Sequence, residues 1–313
     1  MKYSHSVSFV LIAYNQESFI RKACEAALSQ EGEAIEIILS DDCSTDNTFQ
    51  IMQEVVQSYQ GCHYVRLNQT TENVGLIEHI NQVVELSRGE VIIYAAGDDI
   101  SNLDRVQKTM AVYRNKKPLL VHSCVHEIDI QGNILGIWRP PIFGKHYSCV
   151  EMAKKYSLII GASCAWHRSI WQKFGKLRYP ESYEDAVMAL RVCMMGGVEA
   201  LTYVGEPLVR YRVSASGVSQ AGRNKPKNRC ERQLFELKRL RSRSAICDQR
   251  LDDARLVQSS QMMGILEQEQ RNNRMTQLVY EKQQGWATLF ITAIKTRTLV
   301  SMAVAAVRRL SRM

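Results

Sequence analysis

Residues 91–99 read Val91-Ile92-Ile93-Tyr94-Ala95-Ala96-Gly97-Asp98-Asp99. Six apolar positions bounded by a glycine make too short a run for a helix and suit a strand buried on both faces. The run ends in two adjacent carboxylates. Working upstream, Val7–Ala13 (VSFVLIA) has the same character, and residues 16–30 place Phe19, Ile20, Ala23, Ala26 and Ala27 at helical spacing. A second strand is predicted at 35–40 (IEIILS). A helix follows from Asp46 to Tyr59, with Ser44, Thr45 and Asp46 as cap candidates. Tyr64–Leu67 reads as a third strand and Leu76–Ser87 as a third helix, which leads into the strand at Val91. Strands alternating with amphipathic helices build βαβ units, so the fold class is α/β with a parallel-core sheet flanked by helices.

Downstream, 103–117 is predicted helical, and 119–138 reads as strands with a hairpin turn at Gln131-Gly132-Asn133. A loop begins at Arg139-Pro140-Pro141, helical segments and turns fill 150–197, and Tyr203–Arg212 is a final strand. A basic linker follows Gly222, then a long polar helical stretch over about 229–283 and an apolar, basic terminal segment.

The chain has 313 residues and a formal net charge of +8, with 45% hydrophobic and 23% charged residues, the profile of a globular protein. Its charge is uneven. Residues 1–222 hold 21 Lys+Arg and 24 Asp+Glu, a net of −3, whereas 223–313 hold 19 and 8, a net of +11. The 9 cysteines include no C-x-x-C pair, so they read as small buried hydrophobes in a reducing compartment, with neither a disulfide framework nor a zinc knuckle. No apolar run is long enough to span a membrane, and the first residues lack a signal-peptide cleavage pattern, so a cytoplasmic location is expected.

In open parallel sheets ligands bind beyond the carboxyl ends of the strands. Three such ends carry polar residues here: Ala13-Tyr14-Asn15, Asp41 to Asp46, and Gly97-Asp98-Asp99. No phosphate-cradling G-x-x-x-x-G-K-[ST] or G-x-G-x-x-G string is present. Asp98 and Asp99 instead suit a hard divalent cation that bridges phosphate oxygens. In the second half, Glu184 and Asp185 stand at the start of an amphipathic helix with Val187, Leu190 and Met194 as its buried stripe. Acidic residues in a first helical turn are ordinary by themselves, because they complement the helix dipole.

Residues 5–105 resemble the nucleotide-sugar-binding half of a family 2 glycosyltransferase of the GT-A fold. The matching strings are VSFVLIAYNQESFI, IEIILSDDCSTDNT, RLNQTTENVGLIEHINQ and RGEVIIYAAGDDI, in the family's order and spacing. The resemblance implies a Rossmann-like mixed sheet divided into a nucleotide-sugar half (1–105), an acceptor half (106–222) and a C-terminal helical extension (223–313). It implies that Ala13, Tyr14 and Asn15 line the nucleotide pocket, that Asp41 accepts a hydrogen bond from uracil, and that Asn73 and Gly75 shape the wall near ribose and diphosphate. Asp98 and Asp99 fill the family's D-x-D slot, Asp99 as ligand to Mn²⁺ or Mg²⁺ and Asp98 as ribose contact. Asp185 takes the place of the general base of an inverting displacement, with Glu184 beside it at the acceptor. Arg212 lies in a string similar to the family's closing strand and is expected to reach the diphosphate. The chain departs from that string at Ser214, where many members carry histidine. Trp166 is expected either to stack on a sugar or to be a core aromatic.

The function implied is transfer of a hexose (glucose, galactose or an N-acetyl form) from a UDP-sugar to an undecaprenyl-diphosphate-linked saccharide in bacterial O-antigen or capsule assembly. A catalytically degenerate scaffold and a nucleotidyltransferase are the alternatives. The C-terminal segments interleave Arg and Lys with Leu234, Phe235 and Leu240, and later with Trp286, Lys295, Arg297, Arg308, Arg309 and Arg312. That mixture suits an anionic membrane surface on the cytoplasmic face of the inner membrane; packing on the catalytic domain or a homodimer is the competing reading. Nucleic acid is not expected as a partner, since no binding motif accompanies the charge.

Overall fold

A computed structural model describes residues 6–140, 147–156, 158–213, 228–281 and 286–310. Ser214, the basic linker after Gly222, and Arg312 lie outside the described residues, as do the side chains of Trp286, Arg308 and Arg309.

The amino-terminal half is the expected alternation: β1 (Val7–Ala13), α1 (Ile20–Leu28), β2 (Glu36–Asp41), α2 (Thr48–Ser58), β3 (Tyr64–Gln69), α3 (Leu76–Leu86) and β4 (Val91–Ala96). β1 and β2 are buried at every position and β4 at nearly every one, which is why they read as continuous apolar runs. After β4 come β5 (Ile100–Ser101), α4 (Arg105–Lys116), β6 (Leu120–Ile128), β7 (Ile134–Trp138), α5 (Cys149–Ala153), a 3-10 turn (Gly161–Ser163), β8 (Ala165–His167), α6 (Ser169–Phe174), α7 (Glu184–Gly196) and β9 (Leu201–Arg212). The strands form one mixed sheet in the order β3-β2-β1-β4-β8-β6-β9-β5, with β7 paired to β6. β1 is parallel to β2 and β4, and β8 is antiparallel to β4.

One core lies between the sheet and α1, α2 and α4, around Phe9, Ile37, Ile93 and Met52. The other lies on the opposite face, where α3 and α7 pack around Ile38, Ile80, Trp166, Val187 and Leu190. Trp166 is 1% exposed and stacks on Tyr94 and Trp171 at 5.5 and 6.2 Å, so it is a core aromatic and is not presented to a sugar.

The polar helical stretch is a hairpin. α8 (Arg229–Leu256) ends at a turn where Gln258 adopts φ +56°, and α9 (Ser260–Glu281) runs back along it, with Asp248 accepting from Gln270 and Tyr280 O from Gln233. The short connection makes the two helices antiparallel neighbours. α10 (Trp286–Lys295) and α11 (Leu299–Leu310) cover its end through Leu289, Ala293 and Ala305. α8 also packs on α7. Arg191 of α7, with a fully buried side chain, makes a two-pronged ion pair with Asp253 at 2.8 and 3.0 Å and lies over the Phe174 ring. These contacts make α8 part of the second core, as the reading in which the C-terminal helices pack on the catalytic domain expects.

Removing one member of a buried ion pair strands the other charge. Asp253→Ala should therefore lower unfolding free energy by about 3–5 kcal/mol, read from urea denaturation. A loss within the range of exposed pairs, under ~1 kcal/mol, would show that α8 does not dock as described.

Candidate active site

The loops after β1 and β2 interlock. Asn15, at φ +50°, donates its main-chain N–H to Ser44 Oγ at 2.8 Å, and its side-chain oxygen accepts from Thr45 N at 2.8 Å. Gln16 N donates to Thr48 Oγ1 at 2.7 Å. The network leaves Tyr14 43% exposed beside the strand end, while Ala13 is buried.

Asp41 is fully buried. Its Oδ2 accepts from Ser44 N at 2.9 Å and Gln69 Nε2 at 3.0 Å, and its Oδ1 accepts from Ser44 Oγ. Both oxygens are engaged by the protein, so Asp41 shapes the loop beneath the pocket, while Oδ1, with Ser44 Oγ as its one donor, keeps capacity to accept a further hydrogen bond. Asp42, which motif reading passed over, holds the opposite wall. Its carboxylate accepts from Val74 N at 3.0 Å, Gly75 N at 2.9 Å and Thr70 Oγ1 at 3.1 Å. The turn it holds is the one that carries Asn73, whose Oδ1 also accepts from Gly75 N, and Gly75 itself, whose φ of +79° favours glycine.

At the end of β4, Asp99 is 4% exposed. Its Oδ1 accepts from Arg212 N at 2.7 Å, and its Oδ2 is buried with no partner among the described residues. Burial, aided by the neighbouring Asp98 charge, pushes the Asp99 carboxyl well above the usual range, and burial raises Asp98 as well. Arg212 reaches this turn because β9 pairs with β5, opposing Arg210 to Ile100. It is itself buried. Its Nε donates to Asp98 O at 2.8 Å, its Nη1 to Asp129 O and Ile130 O at 2.7 and 3.0 Å, and its guanidinium lies 4.4 Å from the Phe19 ring centre. The reach to a diphosphate expected of Arg212 is therefore closed to these nitrogens, which clamp the Asp98–Asp99 turn instead. Behind the turn, buried Arg105 donates to Tyr94 O and Ser101 Oγ, and its charge favours ionised Asp99. Nothing in the hydrophobic periodicity signals that role.

The second carboxyl pair opens α7. Glu184 is buried, and its Oε1 rests against Gly161 so closely that a Cβ there would stand 1.9 Å from it. Asp185 is half-buried, and its Oδ1 accepts from Ala186 N at 2.5 Å. Burial pushes Glu184 up to about 8 and Asp185 up to about 6. Each charge also opposes the other's ionisation, so the two carboxyls titrate as a pair. The two pairs meet around Tyr94, 4% exposed on β4. Burial pushes its phenol well up, and Glu184, Asp98, Asp99 and Asp185 all oppose its ionisation further.

The donor set fits a hard divalent cation. Among the described residues Asp99 offers an unpartnered buried oxygen next to Asp98, and burial raises both carboxyls despite the Arg105 and Arg212 charges. Among the described residues no three His, Cys, Asp or Glu side chains form a closed cage, so a metal here would complete its shell with water and phosphate, the habit of Mg²⁺ and Mn²⁺ in nucleotide sites. Ser214, the departure from the family string, lies outside the described residues.

The family model described as glycosyl transferase family 2 matches residues 8–170. Chondroitin synthase of Escherichia coli is 30% identical over 130 residues, 41% of this chain and 18% of that protein. The putative teichuronic acid biosynthesis glycosyltransferase TuaG of Bacillus subtilis is 30% identical over 104 residues, 33% of this chain and 40% of that one. The chain spans 27% of the length of the mycobacterial relatives it matches. Among solved structures, S. aureus TarS in complex with UDP-GlcNAc aligns with a TM-score of 0.59 at 13% identity, over 98% of this chain and 92% of that one. The mannosyltransferase PcManGT from Pyrobaculum calidifontis, in complex with GDP-Man and Mn²⁺, aligns at 0.53 and 15% over 98% and 88%. These likenesses establish the fold along nearly the whole chain, C-terminal helices included. With the family model matching more than half of the sequence, from β1 through β8 and so across the Asp98–Asp99 turn, the chain belongs to glycosyl transferase family 2.

Proposed function

We propose that the chain is an inverting, metal-dependent glycosyltransferase. It moves a hexose from a UDP-sugar to a lipid-linked saccharide, an undecaprenyl diphosphate carrier being the expected anchor, in bacterial surface polysaccharide assembly. The observation that carries the reading is the convergence of Asp98–Asp99 and Glu184–Asp185 around Tyr94. The names of the chondroitin and teichuronic acid relatives support polysaccharide assembly, and the UDP-GlcNAc bound to TarS supports a uridine donor.

In this reading Tyr14 stacks beside the base, Ala13 and Asn15 close the pocket around it, and Asp41 holds the Ser44 loop under it. Asn73 and Gly75, latched by Asp42, form the wall next to the ribose and diphosphate. Asp98 contacts the ribose and Asp99 holds the Mn²⁺ or Mg²⁺, which when bound neutralises the charge of the departing diphosphate. Arg212 keeps that turn in place. On the other side Asp185 accepts the proton of an acceptor hydroxyl as its oxygen bonds to the anomeric carbon and the bond to the diphosphate breaks, which inverts that centre. Glu184 stands beside Asp185 at the acceptor, and burial with the Asp185 charge favours its protonated form.

The test is turnover with UDP-glucose, UDP-galactose and their N-acetyl forms, Mn²⁺, and an alkyl-diphosphate-linked GlcNAc or GalNAc. Asp185→Asn should lower kcat by about 10²–10⁴-fold while the protein stays folded. Because the base must be ionised, wild-type activity should fall as pH drops through about 6 and hold above it. Unchanged kcat in Asp185→Asn would remove it from the mechanism.

A membrane-facing role for the terminal helices is part of the same proposal. α10 and α11 turn Leu289, Ala293 and Ala305 inward, while Phe290, Ile291, Ile294, Val300 and Val307 stay more than half exposed near Lys295 and Arg297. No helix among the described residues is long and apolar enough to cross a membrane, so this face would lie along the surface. Truncation before Trp286 should reduce co-sedimentation with phosphatidylglycerol vesicles but not turnover of a water-soluble acceptor. Equal sedimentation of the two proteins would refute the surface role.

A further inference from the structure

Arg250 of α8 comes from the region whose charge composition alone points to a membrane, yet it is 1% exposed. Its guanidinium lies under the first turn of α7. Nε and Nη2 donate to Ala186 O at 3.3 and 2.7 Å, and Nη1 donates to Ala153 O at 3.1 Å. The Tyr156 ring covers it, 5.5 Å from centroid to guanidinium carbon. Ala186 directly follows Asp185, and its N–H donates to the Asp185 carboxylate. One residue is thus held at its carbonyl by Arg250 and at its N–H by Asp185.

The charges around Asp185 make this contact more than a brace. Glu184 adjoins it on α7, Cys164 follows the 3-10 turn, and Tyr94 faces it from β4; each is neutral or negative. The main chain at Gly161 also favours the ionised form of Asp185. Among the described residues Arg250 is the cation that acts on this carboxyl. A guanidinium does not deprotonate in a protein, so its charge is permanent even where burial opposes it. Its bonds to the Ala186 and Ala153 carbonyls hold the guanidinium beneath the turn and not in a direct ion pair with Asp185, which would occupy the oxygen that a base needs.

We propose that Arg250, supplied by the C-terminal hairpin, is a positioning residue for Asp185: it fixes the first turn of α7 and provides the standing positive charge that favours the carboxylate. The inference rests on Asp185 as the base, and it makes α8 part of the catalytic apparatus. Removal of that charge disfavours the ionised carboxyl, so the Asp185 midpoint must rise.

The experiment reads that midpoint directly, with no substrate needed. Aspartate is labelled with ¹³C at the carboxyl, the Asp185 resonance is assigned by its loss in Asp185→Asn, and the signal is followed with pH. Arg250→Gln, which keeps a donor and loses the charge, should raise the midpoint by about one pH unit. Arg250→Lys should leave it in place, as should Asp253→Asn, which weakens the same helix interface through Arg191. A midpoint unmoved in Arg250→Gln, or moved as far in Asp253→Asn, would overturn the proposal. If Arg250→Gln does not fold, Arg250→Lys decides: lowered kcat with an unmoved midpoint supports it, and an upward shift overturns it. The pH profile of turnover separates the two levels. An acid limb that follows the midpoint supports both, whereas a midpoint that moves under a fixed limb removes Asp185 as base and leaves the Arg250 coupling standing.

Discussion

Four carboxyl groups are gathered around one buried tyrosine at the carboxyl end of a mixed sheet, and their charge has to be compensated before the fold is stable. A carboxylate taken out of water without a partner costs several kcal/mol or keeps its proton. The chain meets that constraint with buried arginines from three separate elements. Arg105 on α4 stands behind Asp99, Arg212 at the end of β9 clamps the Asp98–Asp99 turn, and Arg250 on α8 lies beneath Asp185. Compensation is incomplete: among the described residues Asp99 keeps an unpartnered oxygen, and Glu184 is pushed up to about 8. Those residual demands are what a cation and an acceptor hydroxyl would satisfy.

The same constraint explains why so much of the scaffold leads to one place. β5 is two residues long, yet its pairing with β9 carries Arg212 across to the turn after β4. The 3-10 turn at Gly161 leaves room for Glu184 because glycine has no Cβ, and Cys164 O, which follows it, accepts from Tyr94 N at 3.1 Å. α7 is buried along nearly its whole length, so its first turn is fixed by both the sheet and α8.

Much of this was legible in the sequence wherever the signal was local. The strands β1, β2 and β4 are continuous apolar runs because both of their faces are covered, and Asp98, Asp99, Glu184 and Asp185 were marked by motif and position. What could not be read depended on partners far along the chain. Asp41 and Asp42 are adjacent acids in one string, and only the folded loops show that the first accepts from Ser44 and Gln69 while the second latches Val74 and Gly75. Resemblance to the family's closing strand puts Arg212 at the diphosphate, whereas its burial against Phe19 and the Asp129 carbonyl belongs to tertiary structure. Charge counted by region does not separate surface from interior arginines after residue 222: Arg250 is spent in the interior, Asp253 serves Arg191, and Arg239 and Arg255 pair within α8.

The central claim is that the turn after β4 is a metal-dependent diphosphate site built on Asp99. Calorimetric titration of UDP into the protein, with and without Mn²⁺, tests it most directly. The account predicts that Mn²⁺ strengthens UDP binding and that Asp99→Asn abolishes the strengthening while the protein remains folded. UDP binding that is indifferent to Mn²⁺, or an Mn²⁺ effect that survives in Asp99→Asn, would contradict it.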